Sequence, residues 1–337
     1  MSLQTETLQK PASQPSWKRF VARREISLLA VLAFLFIVFS VLSDRFASVN
    51  TVGQILNNMA IVVIVGIGLA LVLLTRNIDV SVGSMVGLTA YFAADFAVKN
   101  PQLPIIVVVL ASCLLGLVLG SINGIIIATL RVPSIMVTLG TLYIYRGIDS
   151  ILAGSNQVTA QSLPSGYGDL ASWSLFGIPG LVIYAFVISI AAHIFIRHTF
   201  TGRSFLAIGS NPLAAEKMGI PAKRRIFVAF AISGLLCGLA GVLWGARYGT
   251  VDSSVASGYE IVVLAAVVVG GISVNGGSGT IGGVIIGAAI LSVISTGLAL
   301  VNVSQFWLQA IQGAVIIAAI VSDSIIRTRV EARGVKA

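Results

Sequence analysis

Apolar residues along this chain stand in long blocks separated by short polar stretches, and not in the alternation that a half-buried strand requires. A helix needs about 20 apolar residues to cross a bilayer, and a shorter apolar block also suits a segment that re-enters on the same side. The blocks at 80–98 and 260–272 are the weakest. The pattern predicts an all-α polytopic membrane protein of about ten transmembrane helices, at residues 26–42, 55–74, 80–98, 105–130, 134–152, 177–196, 226–244, 260–272, 281–300 and 306–326.

The distribution of positive charge fixes the predicted orientation. Ten spans place both termini on one side, and most of the 21 Lys and Arg residues then fall in segments on that side. An excess of Lys and Arg marks the cytoplasmic side, so both termini are predicted to be cytoplasmic. The predicted organisation is an N-terminal tail (1–25), a transmembrane domain (26–326) containing a cytoplasmic loop (198–225), and a C-terminal tail (327–337).

Composition excludes a water-soluble globule. Of the 337 residues, 57% are apolar and 10% are charged, and the mean hydropathy is +1.00, whereas a soluble domain carries about 25% charged residues. The net charge of +9 does not require a nucleic-acid partner, because the basic residues lie at the cytoplasmic ends of the spans. The expected surroundings are membrane lipid.

The sequence contains no recognisable catalytic, metal or nucleotide motif. The glycine-rich tract at 270–279 lacks the Gly-Lys-Ser/Thr ending of a phosphate-binding loop, and no Gly-Lys dipeptide occurs in the chain. Cys113 and Cys237 lie inside apolar blocks and are predicted to be small buried hydrophobes. We therefore expect no cofactor, no metal and no enzymatic activity in this chain.

The first polar interruption is the stretch TRNIDVSVGS at residues 75–84. Asp79 and Ser81 are residue types that cap the helix that follows. Two interpretations remain open: a capped cytoplasmic turn, or an interrupted helix at the edge of a transport path, where irregular backbone faces a cavity. The second interpretation makes Asp79, Ser81 and Gly83 candidate path residues.

A second polar group lies within the fifth predicted span. Thr138, Thr141, Tyr145 and Asp149 recur at steps of three and four residues, so they share one face of a helix. Arg146 precedes Asp149 by three residues and can pair with it. A charged pair in a membrane helix rarely faces lipid. Either this pair is a packing salt bridge, or Thr138, Thr141 and Arg146 line a transport path.

The long cytoplasmic loop has the signals of a short helix. Asn211 suits the N-cap position, Pro212 suits the first helical position, and Gly219 suits the end of the helix. Such defined start and stop signals favour a docking element over a featureless connector. The candidate docking residues are Gly209, Asn211, Pro212, Ala214, Ala215, Glu216 and Gly219.

Small residues at four-residue spacing predict close helix contacts. Gly116, Gly120 and Gly124 form one such series, and Gly234 and Gly238 form another, so helices at these positions can approach closely, within this chain or across a dimer. Residues 77–84 and 271–278 also share Ile, Val, Gly and Ser. The spans before them run in the same predicted direction, so chance explains this likeness better than an inverted repeat.

Several of these motifs together resemble the permease subunits of ribose-type ATP-binding cassette (ABC) sugar importers. The resemblance covers about residues 26–326, and the lead-in TRN at 75–77 is most similar to the autoinducer-2 and rhamnose branch. The motifs are IDVSVGS at 78–84, LGT at 139–141 with RG at 146–147, TGR at 201–203, GSNP at 209–212 with AA at 214–215, and GG at 270–271 and 276–277.

The resemblance implies a permease subunit in a bacterial inner membrane that imports a monosaccharide, or a related small polyol or sugar signal, by alternating access. It also implies a second permease subunit, identical or related, two cytoplasmic ATP-binding subunits and a periplasmic sugar-binding protein. The segment 212–219 would be the coupling helix that rests on the ATP-binding subunit. The outward loop 153–178 has no Lys or Arg and is a candidate dock for the binding protein, with Tyr167 and Trp173 as contacts.

Two other transporter classes are weighed against this expectation. An ion-coupled secondary transporter needs carboxylates within its spans, for which Asp95 and Asp149 are the better candidates, with Asp79, Glu260 and Asp323 near span ends. A branched-chain amino-acid type of ABC permease is the other alternative, and the motif at 78–84 argues against it.

Overall fold

The computed structural model of the protein describes residues 17–304 and the isolated positions 307, 309–311, 313, 314, 317 and 321. Most of the predicted span 306–326 lies outside these residues, as do the C-terminal tail, the first 16 residues of the N-terminal tail and Asp323.

The described chain is almost entirely helical, as predicted. Its helices are α1 (Trp17–Leu42), α2 (Val49–Leu74), α3 (Val82–Lys99), α4 (Ile105–Leu130), α5 (Ser134–Ala153), α6 (Asp169–Ser172), α7 (Gly180–His198), α8 (Phe200–Ser210), α9 (Pro212–Lys217), α10 (Ala222–Tyr248), α11 (Tyr259–Val269) and α12 (Ile281–Leu300). Four two-residue strands form two antiparallel pairs: β1 (Val158–Thr159) with β4 (Thr250–Val251), and β2 (Ser174–Leu175) with β3 (Ile178–Pro179).

Seven helices in the described part of the chain are long and apolar enough to cross a membrane: α1, α2, α4, α5, α7, α10 and α12. The prediction of an all-α polytopic membrane protein is confirmed, whereas the total of about ten spans and the cytoplasmic termini stay predictions. The predicted span 260–272 contains one short helix, α11, whose 11 residues reach only about 16 Å at 1.5 Å per residue. Whether this segment crosses or re-enters stays a prediction.

The centre of the protein is built around α2 and α10. Both helices are apolar on all sides and most of their residues are buried, as expected of helices enclosed by others. In contrast, α1 buries few residues and exposes large apolar side chains such as Phe34 and Val41. Such a surface is normal only where lipid or another protein covers it.

Helices α4 and α10 approach so closely that only glycine fits between them. A Cβ atom on Gly116 would lie 2.8 Å from the Cα of Gly238, and one on Gly120 would lie 2.9 Å from the Cα of Gly234. Because residue numbers rise along α4 as they fall along α10, the two helices are antiparallel. The predicted small-residue contacts are therefore made within one chain at these positions.

Two irregular segments interrupt the helical core, and they position the candidate site. The first linker, residues 75–81, joins α2 to α3, and the second linker, residues 250–258, joins α10 to α11. Each follows a long helix, of 26 residues in α2 and 27 in α10, and precedes a shorter one. The segment 271–278 is instead part of the turn between α11 and α12, so its likeness to 77–84 does not relate these two linkers.

Candidate functional site

The first linker is held against the start of α5 by hydroxyl groups. Its chain leaves α2 at Thr75, and Arg76 adopts a left-handed conformation with φ 69°. The backbone N–H of Ile78 donates to Ser134 Oγ at 3.0 Å, and Thr138 Oγ1 lies 3.3 Å from the carbonyl oxygen of Ile78. Both polar groups of the Ile78 backbone therefore find partners on α5, which an irregular buried segment requires.

A chain of hydrogen bonds continues from this linker to α4 and α5. Ser81 donates to Asp79 Oδ1 through its hydroxyl at 2.6 Å and through its backbone N–H at 3.0 Å. Asn123 Nδ2 donates to Ser81 Oγ at 2.8 Å, and Asn123 Oδ1 lies 3.3 Å from the hydroxyl of Tyr145. All four side chains are buried. The network joins the start of α3 to two neighbouring helices.

The capping prediction is only partly right. Asp79 accepts the N–H of Ser81, but Ser81, which stands at the N-cap position of α3, makes no side-chain bond to the first turn. The second oxygen of Asp79 and the hydroxyl of Ser233 on α10 are both buried and lack a hydrogen bond of ordinary geometry, although the two groups are close enough to interact. Ser81 fails to cap because its hydroxyl is engaged by Asp79 and Asn123.

A single guanidinium group attaches the second linker to α5, while the first two residues of this linker form β4 and pair with β1. Arg146 Nη1, on α5, lies 2.7 Å from the carbonyl oxygen of Val255 and 3.1 Å from that of Ser253. The same nitrogen is 3.5 Å from Asp149 Oδ2, whose other oxygen is buried and has no partner. The predicted pair of Arg146 and Asp149 therefore exists, and it also anchors the second linker.

The two shorter helices that follow the linkers begin next to each other. A Cβ atom on Gly83, near the start of α3, would lie 3.0 Å from the backbone nitrogen of Glu260 and 3.1 Å from the carbonyl oxygen of Ala256. Glycine is required here because any side chain would push apart the starts of α3 and α11. Gly83 is therefore a packing residue where the start of α3 contacts the start of α11.

The candidate path residues therefore divide into two groups. Asp79, Ser81 and Thr138 come together at the first linker, while Arg146 belongs to the second linker. Thr141 is buried, and its hydroxyl lies 3.3 Å from the carbonyl oxygen of Thr138. The predicted shared face of Thr138, Thr141, Tyr145 and Asp149 is confirmed, since these four are buried. That face packs into the protein.

The predicted short helix in the loop 198–225 is α9. Asn211 Oδ1 accepts the N–H of Ala214 at 3.0 Å, Pro212 occupies the first turn, and Gly219 has φ +74° just after the helix. The pattern did not reveal the 11-residue helix α8 that precedes it. Thr199 caps α8 by accepting the N–H of Gly202 at 3.0 Å, and this threonine was the available signal.

The residues predicted to dock a partner lie in different environments. Gly209, at the end of α8, packs against the end of α2 and the turn after α11, where a Cβ would lie 2.8 Å from the Cα of Gly277. Ala215 is the buried residue of α9, while Pro212, Ala214 and Glu216 are exposed. Glu216 also lines a cleft of about 700 Å³ that contains Arg131, Lys223 and Arg224.

Two aromatic residues of the connector between α5 and α7 make their contacts within the protein. Tyr167 is fully buried, against the prediction that it contacts a binding protein, and burial raises the pKa of its hydroxyl well above the usual range. Trp173 Nε1 donates to the hydroxyl of Tyr184 at 2.9 Å. The β2–β3 hairpin is one of the exposed parts of this connector, and its Phe176 is 97% exposed.

Two important residues of the site did not emerge from the sequence pattern. Asn123 is a buried amide in the apolar helix α4, and Ser134 is the first residue of α5. A lone Asn in an apolar run is a usable signal, because a buried amide needs partners. Within the described residues no group of three His, Cys, Asp or Glu side chains could hold a metal ion. Both cysteines are free thiols.

Comparison with known proteins finds one matching family model and several related proteins. Residues 51–320 match the family model described as "Branched-chain amino acid transport system / permease component". The chain is 34% identical over 304 residues to the autoinducer 2 import system permease protein LsrC of Salmonella typhi, covering 90% of this chain and 86% of that protein. The corresponding protein of Enterobacter sp. (strain 638) is 37% identical over 312 residues, with 92% and 89% covered. No solved structure matches the chain.

Proposed function

The chain belongs to this family of transport-system permeases, and we propose that it is the transmembrane subunit of an ATP-driven importer for a monosaccharide or a related small polyhydroxylated signal. Family membership makes it a multi-pass permease of the inner membrane and not an ATPase, since in ABC importers a separate subunit hydrolyses ATP. Solute would cross by alternating access, with the path open to one side at a time.

The observation that carries the proposal is an exposed apolar pair at α9. Leu213 is 73% exposed and Met218 is 82% exposed, although α9 is capped and fixed to the protein through buried Ala215. Apolar side chains grouped on a surface outside the lipid mark an interaction site. The adjacent Lys217 and Lys223 favour the cytoplasmic side, where an ATP-binding subunit would cover the pair. We assign α9 as the coupling helix.

The exposed face of α5 supports pairing with a second permease subunit. Of the seven long helices α5 is the least apolar by composition. It exposes large apolar side chains such as Ile151, but also Gly140, Gly147 and Tyr143, which is 74% exposed. Lipid-facing positions favour large apolar side chains. Glycines and a tyrosine are better suited to a helix–helix interface or a solute path.

The β2–β3 hairpin is the proposed contact for the periplasmic binding protein. Phe176 lies at its tip with φ 51°, and Leu175 and Ile178 beside it are about half exposed. The hairpin belongs to a connector without Lys or Arg, as expected for the outer side. It replaces Tyr167 as the candidate contact, because Tyr167 is enclosed by the protein itself.

Two of the candidate carboxylates, Asp95 and Asp149, are held in ion pairs, which argues against their use in an ion-coupled mechanism. Asp95 pairs with Lys99 at 2.8 Å on the surface, and Asp149 pairs with Arg146. A proton or sodium relay needs carboxylates that are exchanged along a path, and these two are held in ion pairs. The relatives named above are import permeases for autoinducer 2, which favours a sugar-like solute over an amino acid.

ATP-dependent uptake into vesicles containing the complete importer tests the proposal. The probes are radiolabelled D-ribose, L-rhamnose and autoinducer 2, with L-leucine as the competing class. The double variant Leu213→Asp/Met218→Asp should insert normally and lower uptake about tenfold or more, because it places charge where the ATP-binding subunit docks. The matched control Leu213→Met/Met218→Leu, which keeps the apolar contact, should transport like the wild type.

Two results would contradict the proposal. Normal uptake by the Asp double variant would remove α9 from the coupling interface. Uptake that continues without the ATP-binding subunit, and stops when the proton gradient is dissipated, would identify a secondary transporter instead.

A further inference from the structure

A cavity lies between α2, α10, α11 and α12, away from α5 and from the hydrogen-bond network of the first linker. Its volume is about 200 Å³. Its lining residues are Asn58, Ile61, Val62, Trp244, Tyr248, Tyr259, Val262, Leu291, Ser292 and Ser295. The four helices contribute both aromatic and polar side chains.

Three aromatic rings form one wall of this cavity. The ring centroids of Trp244 and Tyr259 are 5.0 Å apart and their planes are almost perpendicular, and those of Trp244 and Tyr248 are 4.9 Å apart. The hydroxyl of Tyr248 donates to Asn58 Oδ1 at 3.1 Å, which leaves the amide nitrogen of Asn58 free to donate. The aromatic faces are apolar while their edges and substituents can form hydrogen bonds.

The opposite wall contains an unsatisfied hydroxyl group. Ser292 is 3% exposed, and its Oγ atom has no hydrogen-bond partner in the structure. A buried hydroxyl without a partner is costly, so its presence in a cavity wall points to a ligand or water that completes it. Ser295 lies in the same wall, one turn further along α12.

From this arrangement we propose that the cavity is a binding site for a small, neutral, polyhydroxylated solute. Trp244 and Tyr259 would cover the C–H face of such a molecule, while Asn58, Ser292 and Ser295 would bind its hydroxyl groups. The cavity is smaller than the ~300–1,000 Å³ of pockets for drug-sized ligands, which suits a solute of about ten non-hydrogen atoms, the size of a five-carbon sugar.

The charge of the cavity distinguishes this solute from an amino acid. No acidic side chain is among the described residues that line it, so the ammonium group of an amino acid would be buried without a counter-charge. Arg247 is close by, with its guanidinium 4.9 Å from the ring centroid of Tyr248. This cation could oppose a carboxylate, but it leaves the ammonium group unpaired. A neutral solute avoids the cost altogether.

This inference rests on the proposed function, since it gives the imported solute a site within one permease subunit. It is tested by binding and not by transport, so that the two can fail separately. The purified full-length protein in lipid nanodiscs would be titrated with tritiated D-ribose in a scintillation proximity assay. Unlabelled L-rhamnose, autoinducer 2 and L-leucine serve as competitors.

We expect saturable binding of D-ribose that L-rhamnose or autoinducer 2 displaces and L-leucine does not. Ser292→Ala should raise the apparent Kd about fivefold, the effect of one neutral hydrogen bond, and Trp244→Phe should weaken binding to a similar extent by reducing the stacked area. Ser189→Ala is the matched control. Ser189 is also buried, but its hydroxyl bonds within α7 to Ala185 and lies outside this cavity.

Three outcomes would overturn the inference while leaving the proposed function standing if the complete importer still takes up sugar. One is the absence of saturable binding in protein that elutes as a single species and unfolds cooperatively. Another is equal affinity in Ser292→Ala and Ser189→Ala. The third is displacement by L-leucine, which would assign the cavity to a zwitterion.

Discussion

The two linkers that interrupt the helical core are both attached to α5, but by different chemistry. The first linker is held by several polar groups, with the hydroxyls of Ser134 and Thr138 bonded to Ile78, and with the network from Asp79 to Asn123 behind them. The second linker is held by one cation, Arg146, which contacts two carbonyl oxygens. The first attachment is spread over several buried groups, whereas the second is concentrated in one.

This difference predicts how each attachment fails. A set of hydrogen bonds distributed over several groups loses about 1 kcal/mol for each bond removed, so the first linker should tolerate single substitutions. A cation that serves two carbonyls and a buried carboxylate leaves all three unsatisfied when it is removed. The side chain of Arg146 is 21% exposed and that of Asp149 is fully buried, so the carboxylate has no access to water as a substitute.

The largest effect is therefore expected for Arg146→Met. It should lower the free energy of unfolding by about 3 kcal/mol, the lower end of the range for breaking a buried ion pair. Thermal unfolding of the purified protein measures this change. The double variant Arg146→Met/Asp149→Leu should recover part of the loss because it also removes the stranded carboxylate. If the single variant is as stable as the wild type, the second linker does not depend on Arg146.

An intermediate effect is expected for Asn123→Leu. The substitution removes the amide between Ser81 and Tyr145 and should cost about 2 kcal/mol of unfolding free energy, because both hydroxyls lose a buried partner. Ser121→Leu is the control on the same helix, at a half-buried position outside the network, and should change stability little. Equal melting temperatures for these two variants would show that the network adds nothing to the first linker.

The smallest effect is expected for Ser134→Ala, which removes one hydrogen bond to the N–H of Ile78. A loss of about 1 kcal/mol is predicted, because Thr138 and the network behind Asp79 still hold the linker. Ser150→Ala, at an exposed position of the same helix, supplies the baseline. A loss as large as that of Arg146→Met would contradict the contrast drawn between the two linkers.

Features set by local spacing could be predicted from the sequence. The buried face of α5 follows from steps of three and four residues, and the pairing of Arg146 with Asp149 follows from their separation of three. The start of α9 follows from Asn211 and Pro212, whose capping geometry is local. Each of these predictions depends on atoms within one or two helical turns.

Contacts between distant parts of the chain could not be predicted in this way. Arg146 binds carbonyl groups more than 100 residues away, and no side-chain pattern marks a backbone acceptor. Asn123 stands alone in an apolar run, but its partner Ser81 is 42 residues earlier. The packing role of Gly83 depends on its close contact with Glu260, near the start of α11.

The short length of the helix within the predicted span 260–272 could not be predicted for a different reason. An apolar composition is expected both of a helix that crosses the membrane and of a short helix enclosed by other helices. Composition therefore does not distinguish the two. Tyr259–Val269 has 11 residues and packs against α2, α3 and α12. The signal for the start of α11 is Gly258, which immediately precedes the helix and has φ +76°.

Gly209 has a mechanical consequence. At this residue α8 touches both the last carbonyl of α2 and the backbone of Gly277, which itself donates to that carbonyl at 3.2 Å. Helix α8 leads directly into α9. A force applied at α9 would therefore be transmitted through Gly209 both to the C-terminal end of α2 and to the turn after α11. One movement of α9 would then displace the end of α2 and the turn after α11 together.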